Sequence, residues 1–207
     1  MRFPRTLAVL LAAAILSVPA ALAQGPVAPT SRAVGYAALL PVGTQGAVSA
    51  VGTGPTERTA SVSGLRPAGG GTVGSIRVSV RATTRGLHGV AEGTVEVSGV
   101  SLLQGRVTIA SLRMSARSSS DGGAGAEGSA SGVVVDGAAV AAGPGSRVEV
   151  AGIGTLVFLE QVSDGAGGVR ANGVRLEVTD PQAAVVIGQP FVLGHLDLST
   201  TEGTAPA

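Results

Sequence analysis

Between Val73 and Leu198 short valine-rich runs alternate with glycine-rich turns, and within the runs apolar and polar residues alternate one for one. Ile76, Val78, Val80 and Ala82 interleave with Arg77, Ser79 and Arg81. Only an extended strand, whose side chains point alternately to opposite faces, turns that pattern into one apolar and one polar side. Val95 and Val97 repeat it, as do Val107 and Ile109. Leu112, Met114 and Ala116 then fall on the other parity, which predicts a bulge or corner near Ala110-Ser111. Further strands are expected at Gly132–Val135, Arg147–Val150, Thr155–Leu159, Val174–Val178 and Val185–Ile187, with a last one through Phe191, Leu193, Leu196 and Leu198. In the Thr155–Leu159 strand, Leu156 and Phe158 are expected to face the core and Val157 the opposite side.

Turn signals separate these runs: Asp121-Gly122-Gly123, Asp136-Gly137, Gly143-Pro144-Gly145, Asp164-Gly165, Asn172-Gly173 and Asp180-Pro181. No helical period extends over eleven positions outside the N-terminus. Strands spaced every 8–12 residues or so favour a sandwich or barrel. The fold class expected is therefore all-β, a single antiparallel β-sandwich domain with Gly-rich turns. A β-solenoid is the alternative, since aromatic-poor Gly/Val sequence also suits stacked rungs, but no fixed repeat is present.

The N-terminus reads differently. Arg2 and Arg5 precede an apolar run, Leu7–Val18, then Pro19 and the small-residue site Ala21-Leu22-Ala23. A basic start, a short apolar stretch and an A-x-A site describe a cleavable secretory signal peptide. The run is short of the roughly 20 residues a membrane span needs, so no transmembrane segment is expected in the mature chain. The expected divisions are signal peptide 1–23, Pro-rich linker 24–34, β-domain 35–199 and flexible tail 200–207. Localisation is then secreted, with association to the cell wall as a further option. Removing Arg2 and Arg5 leaves twelve Arg against thirteen acids, a formal net charge of −1. Such a chain has no electrostatic reason to hold nucleic acid.

Composition excludes several chemistries. There is no Cys, hence no disulfide, thiolate metal site or cysteine nucleophile, and no Lys for phosphate clamps or Schiff bases. Two His cannot build a three-His zinc site. Gly69–Gly74 matches G-x-G-x-x-G in letters, but a loop precedes it and a strand follows, where a dinucleotide needs a helix N-terminus. Gly122–Glu127 resembles a single calcium-binding nonapeptide with the wrong acid, and is read as a solvated loop. His88, with Glu92 four residues on, and His195, with Asp197 on the same face, are the groups that can titrate near neutrality. No nucleophile elbow accompanies them, so both are read as surface or turn histidines. Tyr36, Phe158 and Phe191 are too few for a sugar- or base-stacking platform and are read as core. Arg77 and Arg81 are read as blunting a strand edge or keeping a face soluble, with an anion-binding stripe as the other option. No catalytic, cofactor-binding or metal residue is nominated, and no cofactor is expected.

One resemblance adds to this reading. Val97–Ser119 (VSGVSLLQGRVTIASLRMSARSS) resembles the S-L-L-G-G-x-V-T-A signature of choice-of-anchor P family proteins. Val133–Gly137 resembles the family's L-T-V-N-G, Gly152–Gln161 its G-x-G-T-V-T-L-N-E-Q, and Val169–Thr179 its V-N-A-L-H-V-T run. Val185–Gly188 with His195 resembles the closing V-V-x-G…A-H, and Gly35-Tyr36-Ala37 the opening A-Y-G-L. Together these cover Gly35 to Leu198. The chain departs from the pattern where Leu159 replaces Asn, where Gln104 replaces Gly, and in lacking the Cys of some members. The resemblance implies an exported β-domain of high-GC Gram-positive bacteria and supplies no catalytic residues. The expected function is thus a non-enzymatic structural or interaction protein at the cell envelope, with wall or surface proteins as partners. The alternative is a secreted ligand- or glycan-binding module, and a hydrolase stands third.

Overall fold

The computed structural model describes residues 27–41, 43–52, 57–67, 69–163, 167–187 and 191–205. The signal peptide, the start of the linker, the Asp164-Gly165 turn and the last two residues lie outside them. The chain is an antiparallel β-sandwich. One sheet, A, holds β1 (Thr30–Leu40), β2 (Gly43–Val51), β10 (Arg147–Val150), β11 (Gly154–Ser163), β12 (Val169–Val178) and β13 (Phe191–Thr201), in the order β10-β11-β12-β13-β1-β2. Sheet B holds β3 (Arg58–Leu65), β4 (Gly71–Arg85), β5 (His88–Leu102), β6 (Val107–Ser119), β7 (Gly123–Ser131), β8 (Val134–Val135) and β9 (Ala138–Ala139). Its order is β3-β4-β5-β6-β8-β9, with β7 also on β6. Within each sheet most pairings join consecutive strands as a meander and not as stacked rungs, while the chain crosses between sheets from β2 to β3 and from β9 to β10, and β7 and β8 both pair with β6. The one long-range pairing, β1 with β13, joins the two ends of the domain.

Three boundaries differ from expectation. Thr30–Val34, read as linker, already belong to β1, and Thr200 and Thr201, read as tail, complete β13. Beyond β13 the chain is still tied down, with Gly203 N–H donating to Leu87 O (2.8 Å) and Thr204 N–H to Val27 O (2.9 Å). Val185–Ile187 is not a strand but the end of a short helix, α1 (Pro181–Ile187). Asp180-Pro181 reads as a turn, yet it is also a cap. Asp180 Oδ1 accepts from Gln182 N–H (2.8 Å) and Ala183 N–H (3.0 Å), and proline suits the first helical position. Among the described residues, no helix is long and apolar enough to cross a membrane.

The phase slip at Ala110 turns out to be shared by the whole of sheet B. Gly64 stands opposite Gly74, between the pairs Ser63↔Ser75 and Leu65↔Val73. Gly74 stands opposite Gly99, Gly99 opposite Ala110, and Ala110 N–H donates to Gly132 O (3.3 Å). In every one of these strands the buried set changes parity at that row, for example from Ile76 to Val73 and from Val97 to Val100. Ladder register is nonetheless unchanged across it: Ser98↔Ser111 and Ser101↔Thr108 fit one alignment. There is no extra residue and hence no bulge; the sheet has a crease. Left-handed backbone recurs on alternate strands, at Gly64 (φ 65°), Gly99 (φ 63°) and Gly132 (φ 58°). Left-handed geometry favours glycine because it has no Cβ to clash.

Sheet A repeats the device. Gly46 (φ 59°), Ala37, Gly194 (φ 71°), Gly173 and Leu159 (φ 50°) form one row across β2, β1, β13, β12 and β11, again with alternate members left-handed. The two rows let small residues bring the sheets together. A Cβ on Gly194 would lie 2.4 Å from Val95 Cγ1, and one on Gly46 2.7 Å from Val62 Cγ2.

Between the sheets lies an aliphatic core in which Phe158 and Phe191 are the largest side chains, both at or below 1% exposure. Leu156 and Phe158 face it, as the alternation predicts. Val157 faces the other way but is only 3% exposed, so its side is not solvated. Its cross-strand neighbours on that face are Arg147 and Arg175, whose guanidinium groups are tied to acids. Neighbouring side chains on one face stand about 5 Å apart, so the aliphatic stems of the two arginines shield the valine.

Two sets of melts follow from this architecture. Gly194→Ala should cost roughly 2–5 kcal/mol, combining left-handed strain with overpacking against Val95. Gly137→Ala, equally left-handed (φ 81°) but with nothing within 4 Å, should cost only about 1–2 kcal/mol. Equal losses would mean that close sheet approach at Gly194 is not a constraint. In the core, Phe158→Ala should cost about 3–5 kcal/mol. Val157→Ala should cost about 1.5 kcal/mol, from two lost methyl groups at about 0.8 each. A neutral Val157→Ala would contradict its burial.

Candidate functional site

The outer faces of the two sheets carry nearly all the polar chemistry, and they use it differently. On sheet A one row reads Glu160, Asn172, His195 and Tyr36 across β11, β12, β13 and β1, next to the crease. Asn172 Nδ2 donates to Glu160 Oε2 (2.7 Å), which fixes the amide and turns its Oδ1 towards His195 Nδ1 at 2.7 Å. Since Oδ1 can only accept, His195 carries its proton on Nδ1. Tyr36 stacks on the imidazole with ring centroids 5.8 Å apart. Glu160 also accepts from Arg175 Nε (2.8 Å), Arg175 Nη1 reaches Glu177 Oε1 (2.6 Å), and Arg147 closes the chain on Glu177.

These contacts set the titration behaviour. The Arg175 guanidinium holds the Glu160 carboxyl below the usual carboxylate range, against the opposing effect of burial, and Asn172 adds to the depression. His195 is pushed below its ordinary value chiefly by burial, and the Arg170 charge lowers it further, while Asp197 acts in the opposite sense. The imidazole is therefore neutral at pH 7. Asp197 does lie on the same face, opposite Arg170, but His195 bonds to Asn172 and not to Asp197.

His88, the other titratable candidate, sits opposite Arg85 at the β4–β5 turn with Nδ1 3.8 Å from Glu202 Oε1. Glu92 turns instead to Arg117 at 3.2 Å. Gly71–Gly74 opens β4 as part of a strand, and no helix follows it. Gly122–Glu127 runs from a turn into β7, where Glu127 Oε1 accepts from Ser115 Oγ (3.2 Å). Among the described residues, no group of three or more His, Asp or Glu is placed to hold a metal ion.

The outer face of sheet B is a regular array. Ser63, Ser75, Ser98, Ser111 and Ser131 form one row across five strands; Ser61, Arg77, Glu96, Arg113 and Ser129 form the next. Thr59, Ser79, Thr94, Ser115 and Glu127 follow, and then Arg81, Glu92, Arg117 and Gly125. Hydroxyls bridge within rows, as at Ser75–Ser98 (2.8 Å) and Ser111–Ser131 (2.7 Å). Glu96 pairs with Arg113 (3.5 Å) and Glu92 with Arg117, leaving the arginines of β4 on the far side of each glutamate. A shallow depression of about 510 Å³ lies over Glu92, Thr94, Ser115, Arg117, Gly125 and Glu127. Because β4 pairs with β3 on one side and β5 on the other, Arg77 and Arg81 do not blunt an edge; they project from the interior of a sheet, Arg77 exposed and Arg81 half-buried. Sequence parity gave their direction, but the hydroxyl rows become visible only once register is known.

Set against known proteins, the chain matches no family model, no curated protein and no solved structure at a significant level.

The His195 environment gives a directional pH test. A histidine whose folded pKa is depressed takes up its proton first in the unfolded state, so the unfolded chain binds more protons as pH falls below about 6.5. Stability should therefore be full near pH 7.5 and decline as pH drops through 6.5 towards 5. Further loss should follow below about pH 4.5, where carboxylates of the unfolded chain take up protons before Glu160 of the folded chain, which Arg175 holds lower. Denaturant melts of His195→Gln should show a flatter profile between pH 7.5 and 5. An unchanged slope would place the titration elsewhere.

Proposed function

We propose that the protein is an exported, non-enzymatic interaction module of the bacterial cell envelope, and that the outer face of sheet B is the surface it presents. The observation that carries this reading is the contrast between the two faces. On sheet A, Glu160, Asn172, His195, Arg175, Glu177 and Arg147 satisfy one another. On sheet B, hydroxyls form ordered rows, and the β4 arginines within them have no acidic partner among the described residues. An open, repeating polar array suits an extended partner better than a small substrate that must be enclosed. The depression over β5, β6 and β7 supports a second reading, a ligand- or glycan-binding module.

Membership of the choice-of-anchor P family is part of the proposal, and backbone geometry supports it. Gln104 (φ 58°), Asp136 (φ 48°) and Leu159 (φ 50°) are left-handed. They fall where the family's motifs carry Gly, Asn and Asn, the residues that tolerate this conformation best. Export follows from the basic start, apolar run and A-x-A site at the N-terminus.

Sedimentation of the mature protein with purified envelope fragments tests the surface. Wild type should co-sediment, and Ser79→Tyr combined with Thr94→Tyr, bulky but strand-compatible, should reduce the bound fraction at least tenfold without altering the melting temperature. Undiminished binding by this variant would contradict the assignment. N-terminal sequencing of secreted material should begin within two residues of Gln24; an intact Met1 on it would contradict export by cleavage.

A further inference from the structure

On the reading of sheet B's outer face as the interaction surface, we infer that β4 carries a binding stripe for a linear phosphodiester polymer that lacks bases. The outward residues of β4, taken in order, are Ser75, Arg77, Ser79, Arg81, Thr83 and Arg85. Hydroxyl and guanidinium donors thus alternate along one strand face. Outward positions on a strand recur about every 6.7 Å, and successive arginines about every 13 Å. Arg66 follows the end of β3, on the side of β4 away from β5, whereas Arg58 pairs with the core residue Val80 and shares the inner-face parity.

None of Arg58, Arg66, Arg77, Arg81 and Arg85 forms an ion pair among the described residues. This is not for lack of nearby acids. Glu96 stands directly opposite Arg77 and Glu92 opposite Arg81 in the ladder, yet both lean to β6 and bind Arg113 and Arg117. A second observation points the same way. Arg81 Nε is buried with no hydrogen-bond partner, a donor whose desolvation nothing in the described structure offsets. Arg66, Arg77, Arg81 and Arg85 against Glu57 leave the β3–β4 side of the face positive, although the mature chain as a whole is near neutral.

The chemistry of the donors selects the ligand. Guanidinium forks bind oxyanions in two-point fashion, and a neighbouring hydroxyl donates to a second oxygen of the same group. A phosphodiester offers two such oxygens at every repeat of an extended chain, which a strand presenting a donor about every 6.7 Å can follow. Nucleic acid is disfavoured because single strands are held by base stacking on aromatic rings. The aromatic residues of the mature chain are Tyr36, on the outer face of sheet A, and Phe158 and Phe191, in the core.

The test uses the mature protein with three immobilised polymers: poly(glycerol phosphate), polygalacturonate and poly(dT). Poly(glycerol phosphate) should bind tightest. Contact with three phosphates, at about 0.7 in the logarithmic salt slope for each, gives a slope near −2. Affinity should then fall about sixteenfold between about 50 and 200 mM salt. The triple variant Arg77→Gln, Arg81→Gln, Arg85→Gln should lose at least tenfold in affinity, while Arg32→Gln with Arg170→Gln, exposed on the outer face of sheet A, should lose less than threefold. Melting temperatures confirm that both variants fold. Absence of binding to poly(glycerol phosphate), equal losses in the two variants, or binding of poly(dT) or polygalacturonate at least as tight would each overturn the inference. So would full envelope sedimentation by the triple variant, which would leave the broader surface reading standing; that reading fails separately if the Ser79/Thr94 tyrosine variant still sediments.

Discussion

The close packing of the two sheets rests on a row in each, made of small or left-handed residues, along which every strand switches the face it buries. In an antiparallel sheet a change of face in one strand must be matched by its neighbours, or apolar side chains would be sent to solvent along half of the sheet. Gly64, Gly74, Gly99, Ala110 and Gly132 make that match in sheet B, and Gly46, Ala37, Gly194, Gly173 and Leu159 in sheet A. Alternate members are left-handed, and their partners are Gly or Ala. A methyl on Gly132 would lie 2.6 Å from Ala110 Cβ, so where one strand carries alanine the left-handed strand beside it has no room for a second methyl.

The crease also decides what each outer face displays. Because register is preserved through it, residues of like chemistry stay aligned over five strands, and the serine row of sheet B runs alongside it. On sheet A the same geometry lines up Glu160, Asn172, His195 and Tyr36, where an amide held by a carboxylate orients the imidazole. One face closes its polar groups upon themselves and the other leaves its arginines of β4 without acidic partners. That difference arises from which strand each glutamate leans towards.

Much of this architecture is legible from residue order. Alternation between Ile76 and Ala82 gives a strand and its faces, and Asp136-Gly137 gives a hairpin turn, with both residues left-handed in the structure. Less visible are β1, β2, β3 and β7, built of Ala, Gly, Ser and Thr with little contrast between faces; β7 (GAGAEGSAS) looks like a loop until its ladder with β6 orders it. The helix at Pro181–Ile187 is missed because three apolar β-branched residues outweigh a cap and a proline in a purely local reading. Val157 is buried by arginine stems two strands apart in register, a fact of pairing that alternation alone does not contain. The phase slip at Ala110 is visible, but a single strand does not tell a bulge from a crease. That distinction lies in the register of its neighbours.

Cross-strand proton contacts in an isotopically labelled sample measure that register directly on both sides of Gly99. A shared crease requires one continuous alignment, with contacts pairing Ser98 to Ser111 and, beyond the crease, Ser101 to Thr108. A one-residue offset on the Ser101 side, pairing it with Val107 or Ile109, would mean a bulge and would contradict the shared crease on which the two faces depend.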